Sequence, residues 1–342
     1  MVPILAQSLR RPPTPLGRCL ALTPGVLLFA ACGVLLLVAC GGDGAQSSGR
    51  LRGERAGPTR ELTLPDGSAV RVPVSPQRII PASAGLVDLL TALVPPERIA
   101  ALPRQALGFS GLRDEHSPYL ARPKFEVYAA EPLLAMRPDL VLADRWQTAD
   151  TGERLREAGV AVLEVGRMER LDEVRRTLRL LARATGTQAD CEALLAGLDL
   201  RLAALEQTAS RRAGLRALAY TNGGTGGWAA GAGTTADEWI TLAGMTNAAA
   251  EAGRVSHVRF TFEELLLLDP DVIVVSSPEG AGEDGGTAAL LRGEPALASL
   301  KAVRDDRIVP MPAWLYDTIS QHIVTAAEVL AVGVDDCLAA SR

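Results

Sequence analysis

The sequence predicts an α/β fold with two Rossmann-like lobes, each containing a mainly parallel sheet, and a cleft between them. Strand-like and helix-like segments alternate along most of the chain, which is typical of parallel sheets covered by helices on both faces. One phrase also occurs twice: residues 131–142 read EPLLAMRPDLVL, and residues 263–274 read EELLLLDPDVIV. Glutamate, proline and aspartate keep the same spacing in both copies. A helix–stop–strand unit that recurs once in each half indicates two similar lobes.

The N-terminal segment has the pattern of a targeting sequence. A region with several arginines precedes an apolar run, which ends in Leu37-Val-Ala-Cys40-Gly. This ending resembles the lipobox of bacterial lipoproteins, in which the cysteine is lipidated and becomes the new N-terminus. We therefore predict a lipoprotein signal peptide over residues 1–40, lipidation at Cys40 and a flexible tether over 41–60. The alternative is a membrane-spanning helix, because the apolar run is near the minimum length for one.

Composition indicates a packed globular protein of two domains. The chain is 48% hydrophobic and 22% charged, with a formal net charge of −5, which disfavours a nucleic-acid partner. Roughly 300 residues follow Cys40, enough for two domains. We place an N-terminal lobe at 61–170, an interdomain helical region at 171–205 and a C-terminal lobe at 206–342.

Short β-branched and apolar runs between Pro, Gly or Asp predict the strands of the first half, and longer amphipathic runs predict its helices. The Pro-Asp-Gly within alternating residues indicates a β-hairpin over 61–74. The elements that follow are a strand at 78–81, a helix at 86–93, a strand at 98–102, an irregular stretch at 103–128, a helix ending at Arg137, a strand at 140–143, a helix at 151–158 and a strand at 160–165.

Apolar residues at helical spacing from Leu171 to Leu205 predict a rigid helical connection, which Thr185-Gly186-Thr187 could break or kink. Beyond it the alternation resumes. The predicted elements are a strand at 215–220, a loop at 221–233, a helix at 235–243, a helix ending at Leu268, a strand at 272–275, a glycine-rich loop at 280–286, a helix at 295–300, a strand at 307–311 and a final helix at 320–339.

A ligand is expected beyond the carboxyl ends of the parallel strands. Tryptophan rings there could hold a bulky, partly planar ligand, and arginines could pair with its carboxylates or oxyanions. The alternative is that the loop tryptophans only cover the hydrophobic core; Trp239 lies in a helix and is predicted to be core. The candidate ligand-binding residues are Ser83, Arg104, Arg145, Trp146, Trp228, Ser276, Trp314 and Tyr316.

Metal-site and enzyme motifs are weak. The chain has three histidines, none with a neighbour at ligand spacing, and its cysteines form no metal motif. His116 or Tyr119 could be an axial haem ligand, although such residues are more often surface contacts. Neither a phosphate-binding loop nor a Gly-x-Ser-x-Gly elbow occurs. We therefore predict no metal site, no cofactor and no enzymatic activity, and any metal is expected to arrive already chelated within the ligand.

Two cysteines follow the signal segment, Cys191 and Cys337. Export to an oxidising compartment would allow them to form a disulfide, which would hold the last helix in place. Two separate buried thiols are the alternative.

The ordered set of motifs resembles one known family, from about residue 61 to the end of the chain. Residues 76–83 (PQRIIPAS) look like its N-terminal opening, the two Glu…Pro-Asp units look like its lobe repeats, and residues 231–248 (GAGTT…AGMTNA) are similar to its "G-x-x-T/S … A-G-x-x-N-A" segment. This is the iron-chelate and cobalamin type of substrate-binding protein that serves importers of the ATP-binding-cassette (ABC) class. Ala82-Ser83-Ala84 departs from the Ser-Pro-Ser or aromatic residue of many members.

The resemblance implies a class III substrate-binding protein, with two lobes joined by one long rigid helix and the ligand between them. It implies a ferric siderophore first, then haem or cobalamin, delivered to a permease and its ATPase. In the family one surface glutamate per lobe pairs with permease arginines, and Glu131 and Glu263 match those positions, with Glu264 leaving the second choice open. The alternative is that each glutamate only stabilises its helix.

The resemblance and the lipobox together imply a monomer of the cell envelope. It is expected to be lipid-anchored to the membrane and to face the periplasm or the extracellular side. The alternative function is an exported α/β enzyme or an envelope ligand sensor on the same two-lobed scaffold.

Overall fold

Two sheets organise the structure, a computed structural model that describes residues 57–64, 66–144, 147–224, 226–277 and 286–340. The predicted signal peptide with Cys40, residues Arg145 and Trp146, and most of the predicted glycine-rich loop lie outside the described residues. None of the helices in the described part of the chain is long and apolar enough to span a membrane.

The elements alternate along the chain as the sequence predicts. The strands are β1 (Thr59–Thr63), β2 (Ala69–Pro73), β3 (Ile79–Pro81), β4 (Leu102–Pro103), β5 (Lys124–Phe125), β6 (Leu140–Ala143), β7 (Ala161–Glu164), β8 (Arg216–Asn222), β9 (Gly227–Ala230), β10 (Thr246–Asn247), β11 (His257–Phe260), β12 (Val272–Ser277) and β13 (Ile308–Pro312). The α-helices are α1 (Ala84–Thr91), α2 (Ala130–Ala135), α3 (Ala149–Glu157), α4 (Leu171–Thr185), α5 (Gln188–Ala209), α6 (Thr235–Leu242), α7 (Ala248–Glu251), α8 (Phe262–Leu268), α9 (Gly286–Gly293), α10 (Lys301–Arg304), α11 (Ala313–Tyr316) and α12 (Ile323–Ala340). Short 3₁₀ helices cover Pro96–Arg98, Gln105–Phe109, Pro118–Ala121 and Pro295–Leu297.

The first lobe contains a parallel sheet in the order β3-β6-β7. Every residue of β3 and β6 is buried, as expected for parallel strands covered on both faces. Residues 59–73 form the predicted antiparallel hairpin β1-β2. The strand predicted at 98–102 is wrong in its extent, because Pro96–Arg98 turns as a 3₁₀ helix and β4 begins only at Leu102.

The second lobe contains a larger sheet in the order β11-β9-β8-β12-β13, with β10 also paired to β8. β8, β10, β12 and β13 are parallel to one another. At one edge of the sheet β9 pairs antiparallel with β8 on one side and with β11 on the other. The predicted fold class is therefore confirmed as two α/β lobes with mainly parallel sheets.

The loop predicted at 221–233 is wrong, because Trp228 lies within β9. Gly224 and Gly226 have φ angles of 89° and 109°, a conformation that glycine adopts without strain. The glycine-rich sequence is thus the turn of a β8–β9 hairpin and not an extended loop.

The helical region after β7 consists of two helices, α4 and the longer α5. α4 ends at Gly186, which has a left-handed φ of 79°, the usual conformation at a helix C-terminus. α5 then folds back along α4, because Arg179 Nε bonds Glu192 Oε1 at 2.9 Å and Arg175 pairs with Asp199.

The connection between lobes is made by α5, whose 22 residues span about 33 Å. Its first turns pack on α4, and later along it Arg201 binds Glu328 and Thr325 of α12 at 2.8 Å each. The predicted helical connection is therefore present, with its break at the predicted position. The lobe boundaries at 170 and 206 stay predictions.

The repeated phrase forms the same clasp in both lobes. In the first, the Asp139 carboxylate accepts hydrogen bonds from the backbone N–H groups of Gln77 (2.6 Å) and Arg78 (2.9 Å), just before β3. The Arg78 guanidinium in turn donates to the carbonyl oxygens of Met136 and Arg137, at the end of α2. The clasp therefore fastens the end of the repeat helix to the start of the neighbouring strand.

The second copy repeats these bonds with different residues. Asp271 Oδ2 accepts from the backbone N–H of Arg216 at 2.9 Å, and Arg216 Nη1 donates to the Leu268 carbonyl at 2.9 Å, at the end of α8. Arg137 and Asp269, each preceding the proline, share left-handed φ angles of 48° and 43°. The duplication in sequence is thus a duplication in backbone conformation and in hydrogen bonding.

Among the described residues, Cys191 and Cys337 are not joined by a disulfide, so of the two alternatives the structure has two separate thiols. Cys191 lies fully buried near the start of α5, whereas Cys337 is half-buried near the end of α12. Burial raises the pKa of both thiols, which favours their uncharged form.

Candidate ligand-binding site

A cavity of about 390 Å³ lies between the two lobes. Its first-lobe wall contains Asp144 and residues 166–169, and its second-lobe wall contains residues 232–236, residues 255–257, Tyr316, Asp317 and Ile319. Residues separated by more than half the chain thus share one concave surface, which is the usual setting of a small-molecule site.

The cavity follows the carboxyl ends of the strands. Asp144 comes directly after β6, residues 166–169 come just after β7, residues 232–236 come after β9, and Tyr316 ends the short helix after β13. Ligands of open α/β sheets bind beyond the carboxyl ends of the parallel strands. The first-lobe wall and Tyr316 therefore lie where the sequence predicts, whereas residues 232–236 follow the antiparallel strand β9 and lie towards the other edge of that sheet.

The start of α6 forms part of the second-lobe wall. Thr234 caps the helix: its hydroxyl accepts from the Asp237 N–H at 3.2 Å and donates to the Gly231 carbonyl at 2.8 Å. Asn247 braces this turn by donating to the Ala230 carbonyl at 3.0 Å and to Asp237 Oδ1 at 3.1 Å. The GAGTT…AGMTNA segment thus has a physical role, because its polar residues hold the cavity wall in shape.

The cavity carries charges of both signs. Arg167 Nε lies 3.1 Å from Glu169 Oε2 on the first-lobe wall. On the opposite wall, burial raises the pKa of Asp317, and the nearby His257 opposes that rise. Burial also raises the pKa of Tyr316, so its hydroxyl stays protonated at neutral pH. The lining therefore offers donors and acceptors to a polar ligand.

Of the predicted ligand-binding residues, Tyr316 lines this cavity. Ser83 instead caps α1, with its hydroxyl 3.5 Å from the Leu86 N–H. Arg104 is exposed and paired with Glu126, and Ser276 lies within β12 opposite Met311 of β13. None of these last three contributes to the lining of the cavity.

The tryptophans of the described residues also lie outside this lining. Trp228 is 43% exposed on β9, with the Arg259 guanidinium 5.3 Å from its ring. Trp314 meets His322 edge-on at 5.2 Å, and Trp239 is fully buried, as predicted for a core residue. The predicted cluster of aromatic rings around the ligand is therefore not found among the described residues; ligand contact by the individual residues stays a prediction.

The candidate axial haem ligands lie elsewhere. The Tyr119 hydroxyl has one proton and lies within hydrogen-bond distance of two carbonyl oxygens, those of Thr91 (2.9 Å) and Val94 (2.7 Å), at and just after the end of α1, which is a structural role. The His116 side chain is 96% exposed, with Asp114 3.6 Å away. Within the described part of the chain, no group of three or more His, Cys, Asp or Glu could hold a metal ion.

The two repeat glutamates lie in the first turns of α2 and α8, and both are exposed. The ambiguity between Glu263 and Glu264 has a structural answer. Glu264 bonds the Thr261 N–H at 2.9 Å in a capping box and also pairs with Arg254 at 2.9 Å. Glu263 is the more exposed neighbour, and hydrogen bonds keep the pKa of its carboxyl low, so it presents a negative charge to solvent.

Sequence reasoning missed most of the lining. Residues 166–169 follow a predicted strand and meet the strand-end rule, but they contain no tryptophan and were not selected. Residues 232–236 belong to a motif that carries no ligand signal of its own, and residues 255–257 lead into β11, a strand that the sequence does not predict and whose first residue is His257. For the second-lobe wall the sequence does contain one signal: Thr234 follows Gly233 and has the residue type of a helix N-cap.

The fold and cavity define a two-lobed binding protein, and comparison with known proteins agrees. The sequence profile described as "Periplasmic binding protein" matches residues 122–314. The chain belongs to this family.

Individual relatives refine the comparison. A Bacillus subtilis protein named "Uncharacterized ABC transporter substrate-binding lipoprotein YvrC" is 23% identical over 210 residues, covering 60% of this chain and 64% of that protein. A Halobacterium salinarum protein named "Cobalamin-binding protein" is 32% identical over 145 residues, covering 42% of this chain and 39% of that protein. The match therefore spans less than two thirds of either curated relative.

Solved structures are similar over more of the chain. The periplasmic heme-binding protein BhuT, in complex with two hemes, is 27% identical with a TM-score of 0.66, covering 77% of this chain and 99% of that one. The apo heme-binding protein RhuT from Roseiflexus sp. RS-1 is 25% identical with a TM-score of 0.65, covering 76% of this chain and 98% of that one. Both support the two-lobed fold.

Proposed function

We propose that the protein is the substrate-binding component of an ABC importer and captures a metal chelate in the cavity between its lobes. A ferric siderophore is the first choice, with haem or cobalamin next. The protein delivers the chelate to a permease and its ATPase, acts as a monomer and performs no chemistry of its own. A lipid on Cys40 anchors it to the membrane, on the periplasmic or extracellular side.

The observation that carries this proposal is the cavity lined by residues of both lobes. Its lining favours a polar chelate over a flat tetrapyrrole. Among the described lining residues only Tyr316 and His257 carry rings, and the remainder are small, hydroxylated, charged or aliphatic. Broad aromatic faces, which would favour a planar ligand, are not part of the described lining.

The first test is a binding titration of the protein lacking residues 1–40. Isothermal calorimetry with a ferric hydroxamate, a ferric catecholate, haem and cobalamin should give a micromolar or tighter Kd for at least one of them. Tyr316→Phe removes one cavity hydroxyl and should weaken that binding about fivefold, the value of one net hydrogen bond. No binding by any of the four would contradict the ligand class.

Trp228→Ala is the matched control for this titration. It removes a predicted ligand-binding side chain that lies on β9 outside the cavity lining. Its affinity for the same chelate should stay within about twofold of wild type, because no lining group changes. An effect larger than that of Tyr316→Phe would place the ligand elsewhere.

Glu131 and Glu263 are proposed to dock the protein on arginines of the permease. Their support is structural equivalence, since each is exposed in the first turn of the repeat helix of its own lobe. Changing both to alanine should reduce chelate uptake by cells about tenfold, because charge pairs fix register across an interface. The chelate Kd should remain unchanged.

Glu153 offers a control for the docking experiment, because it is an exposed glutamate on α3 outside the repeat. Glu153→Ala should leave uptake at the wild-type rate. Normal uptake by the Glu131/Glu263 double variant would remove the docking role and leave only helix stabilisation.

A further inference from the structure

A buried aspartate of the first lobe binds the second lobe directly. Asp88 lies on α1 and is 3% exposed. Its Oδ1 accepts from the Gly111 backbone N–H at 2.7 Å, and its Oδ2 accepts from the Ser320 hydroxyl at 3.1 Å. Gln321 Nε2 also donates to the Asp88 carbonyl oxygen at 3.1 Å. Ser320 and Gln321 follow α11 of the second lobe, so these bonds cross between lobes.

Close packing surrounds the same contact. A methyl group on Gly85 would lie 2.6 Å from Ile319 Cγ1 and 2.8 Å from the Ile319 carbonyl oxygen. A methyl group on Gly111 would overlap the His322 ring. The first lobe therefore presents glycine at two positions where the chain of the second lobe approaches, and no larger side chain fits without displacement.

The segment held by Asp88 is continuous with the cavity wall. Tyr316, Asp317 and Ile319 line the cavity, and Ser320 is the next residue after Ile319. The Ser320 hydroxyl also lies 3.0 Å from that of Thr318 and accepts from the His322 N–H at 3.3 Å. A displacement of Ser320 would thus move the wall on both sides of it.

We propose that Asp88 is a positioning residue for ligand capture: by binding Ser320 and Gly111 it fixes residues 316–322 of the second lobe as a wall of the cavity. Asp88 does not line the cavity and acts through this segment. The inference rests on the proposed function in one respect, which is that the chelate binds in this cavity. The contact links the lobes through residues outside helix α5.

Protonation gives the link a measurable signature. Burial raises the pKa of Asp88 from 3.8 to about 7, although the Gly111 and Ser320 bonds lower it. The closed contact therefore binds a proton that an exposed carboxyl would release above about pH 4. By linkage the closed contact is most favoured below that pH, weakens as pH rises towards about 7, and is constant beyond.

The neighbouring ionisable groups come from each element packed around this contact. Burial lowers the pKa of His322 to about 4, so the ring is neutral through this range. The pKa of Asp317 is raised, chiefly by burial. Three further charged or titratable groups lie on the packed elements. Arg201 on α5 is bound to Glu328, and Arg113 donates to the Leu107 carbonyl. The Tyr119 hydroxyl bonds carbonyl oxygens at the end of α1 and just after it.

The test is hydrogen exchange of the segment 316–322, measured by mass spectrometry on the ligand-free protein from pH 5 to 8. Asp88→Ala leaves the Gly111 N–H and Ser320 without their acceptor, so exchange of this segment should rise about tenfold over wild type at pH 5. The excess over wild type should be smaller at pH 8, where the wild-type contact is itself weaker. Asp88→Asn keeps an acceptor and a donor in place and should retain protection.

Comparing the exchange rates of wild type and Asp88→Asn isolates the effect of Asp88 ionisation. Exchange in wild type divided by exchange in Asp88→Asn at the same pH should rise at least about fivefold from pH 5 to 8, because only wild type ionises. A flat ratio, or Asp88→Ala exchange equal to wild type at pH 5, would overturn the proposal. A role limited to global stability would raise exchange throughout the protein and not selectively in this segment.

Thr91→Ala is the matched control on the same helix. The Thr91 hydroxyl bonds the Val87 carbonyl of its own helix at 2.9 Å, so its loss should leave exchange of 316–322 within about twofold of wild type. A titration with ferric desferrioxamine then separates this inference from the proposed function. Failure of wild type to bind that probe counts against a hydroxamate ligand, whereas the exchange data decide the role of Asp88 independently.

Discussion

Replacing Arg212 with methionine is expected to lower the free energy of unfolding by about 3 kcal/mol, the cost of breaking a buried ion pair by removing one partner. Arg212 is fully buried, although it follows α5 by only a few residues. Its guanidinium donates to the Ala243 carbonyl at 2.7 Å, to Asp335 at 2.8 Å and to the Thr208 hydroxyl at 3.0 Å. Urea unfolding followed by circular dichroism measures the change.

Arg211→Met is the matched control, because Arg211 is adjacent, binds the same Asp335 oxygen at 3.6 Å and has a side chain that is 67% exposed. Exposed pairs contribute little, so a loss below about 1 kcal/mol is expected. Adding Asp335→Leu to Arg212→Met should recover part of the lost stability, since it removes the carboxylate that the first change leaves unpaired. Equal losses in the two arginine variants would contradict the assigned role.

The position of Arg212 explains why its effect should extend to the binding site. Its three partners lie at the end of α5, just after α6 and on α12. The opposite end of α6 contributes to the cavity wall. The arginine therefore joins the helix that connects the lobes to the helix that shapes the site. Arg212→Met should weaken chelate binding as well as stability.

The sequence predicted the architecture well because the architecture depends on periodic patterns. Strand β6 was predicted at its observed bounds, and the ends of α4 and α6 follow from Gly186 and Gly244. Even the break in the helical connection was visible as Thr-Gly-Thr. Its consequence, a reversal of direction, was not visible, because it depends on α5 packing back along α4 through ion pairs such as Arg179–Glu192.

The binding site was predicted less well, because which side chain faces the cavity depends on tertiary packing. Tryptophan was treated as a sign of ligand contact, yet Trp239 is core, Trp314 packs on His322 and Trp228 lies beneath Arg259 on a strand. The lining instead contains small and hydroxylated residues such as Thr234. Such residues are common in loops, and only their position after β9 distinguishes them.

Alanine at Asp139 or at Asp271 is expected to destabilise the protein by about 2 kcal/mol each, because each carboxylate accepts at least one backbone N–H group that would lose its partner. Asp139 accepts from Gln77 and Arg78, and Asp271 accepts from Arg216. Because the repeat places equivalent aspartates in both lobes, the two alanine substitutions should lower the free energy of unfolding by similar amounts. Urea unfolding of both single variants and of the double variant measures it.

Additivity is the decisive outcome for the two clasps. They lie in different lobes with no shared partner, so the double variant should lose the sum of the single losses within about 0.5 kcal/mol. Asparagine at either position keeps one acceptor and should recover at least half of the loss, which separates the hydrogen bond from the side-chain volume. A large loss of stability for one alanine variant with none for the other would mean that only one of the two repeat copies stabilises its lobe, although both are present in the sequence. Similar losses would establish the Pro-Asp stop as the element that fastens helix to sheet in both lobes, and would leave the exposed glutamate at the start of each repeat helix available for docking.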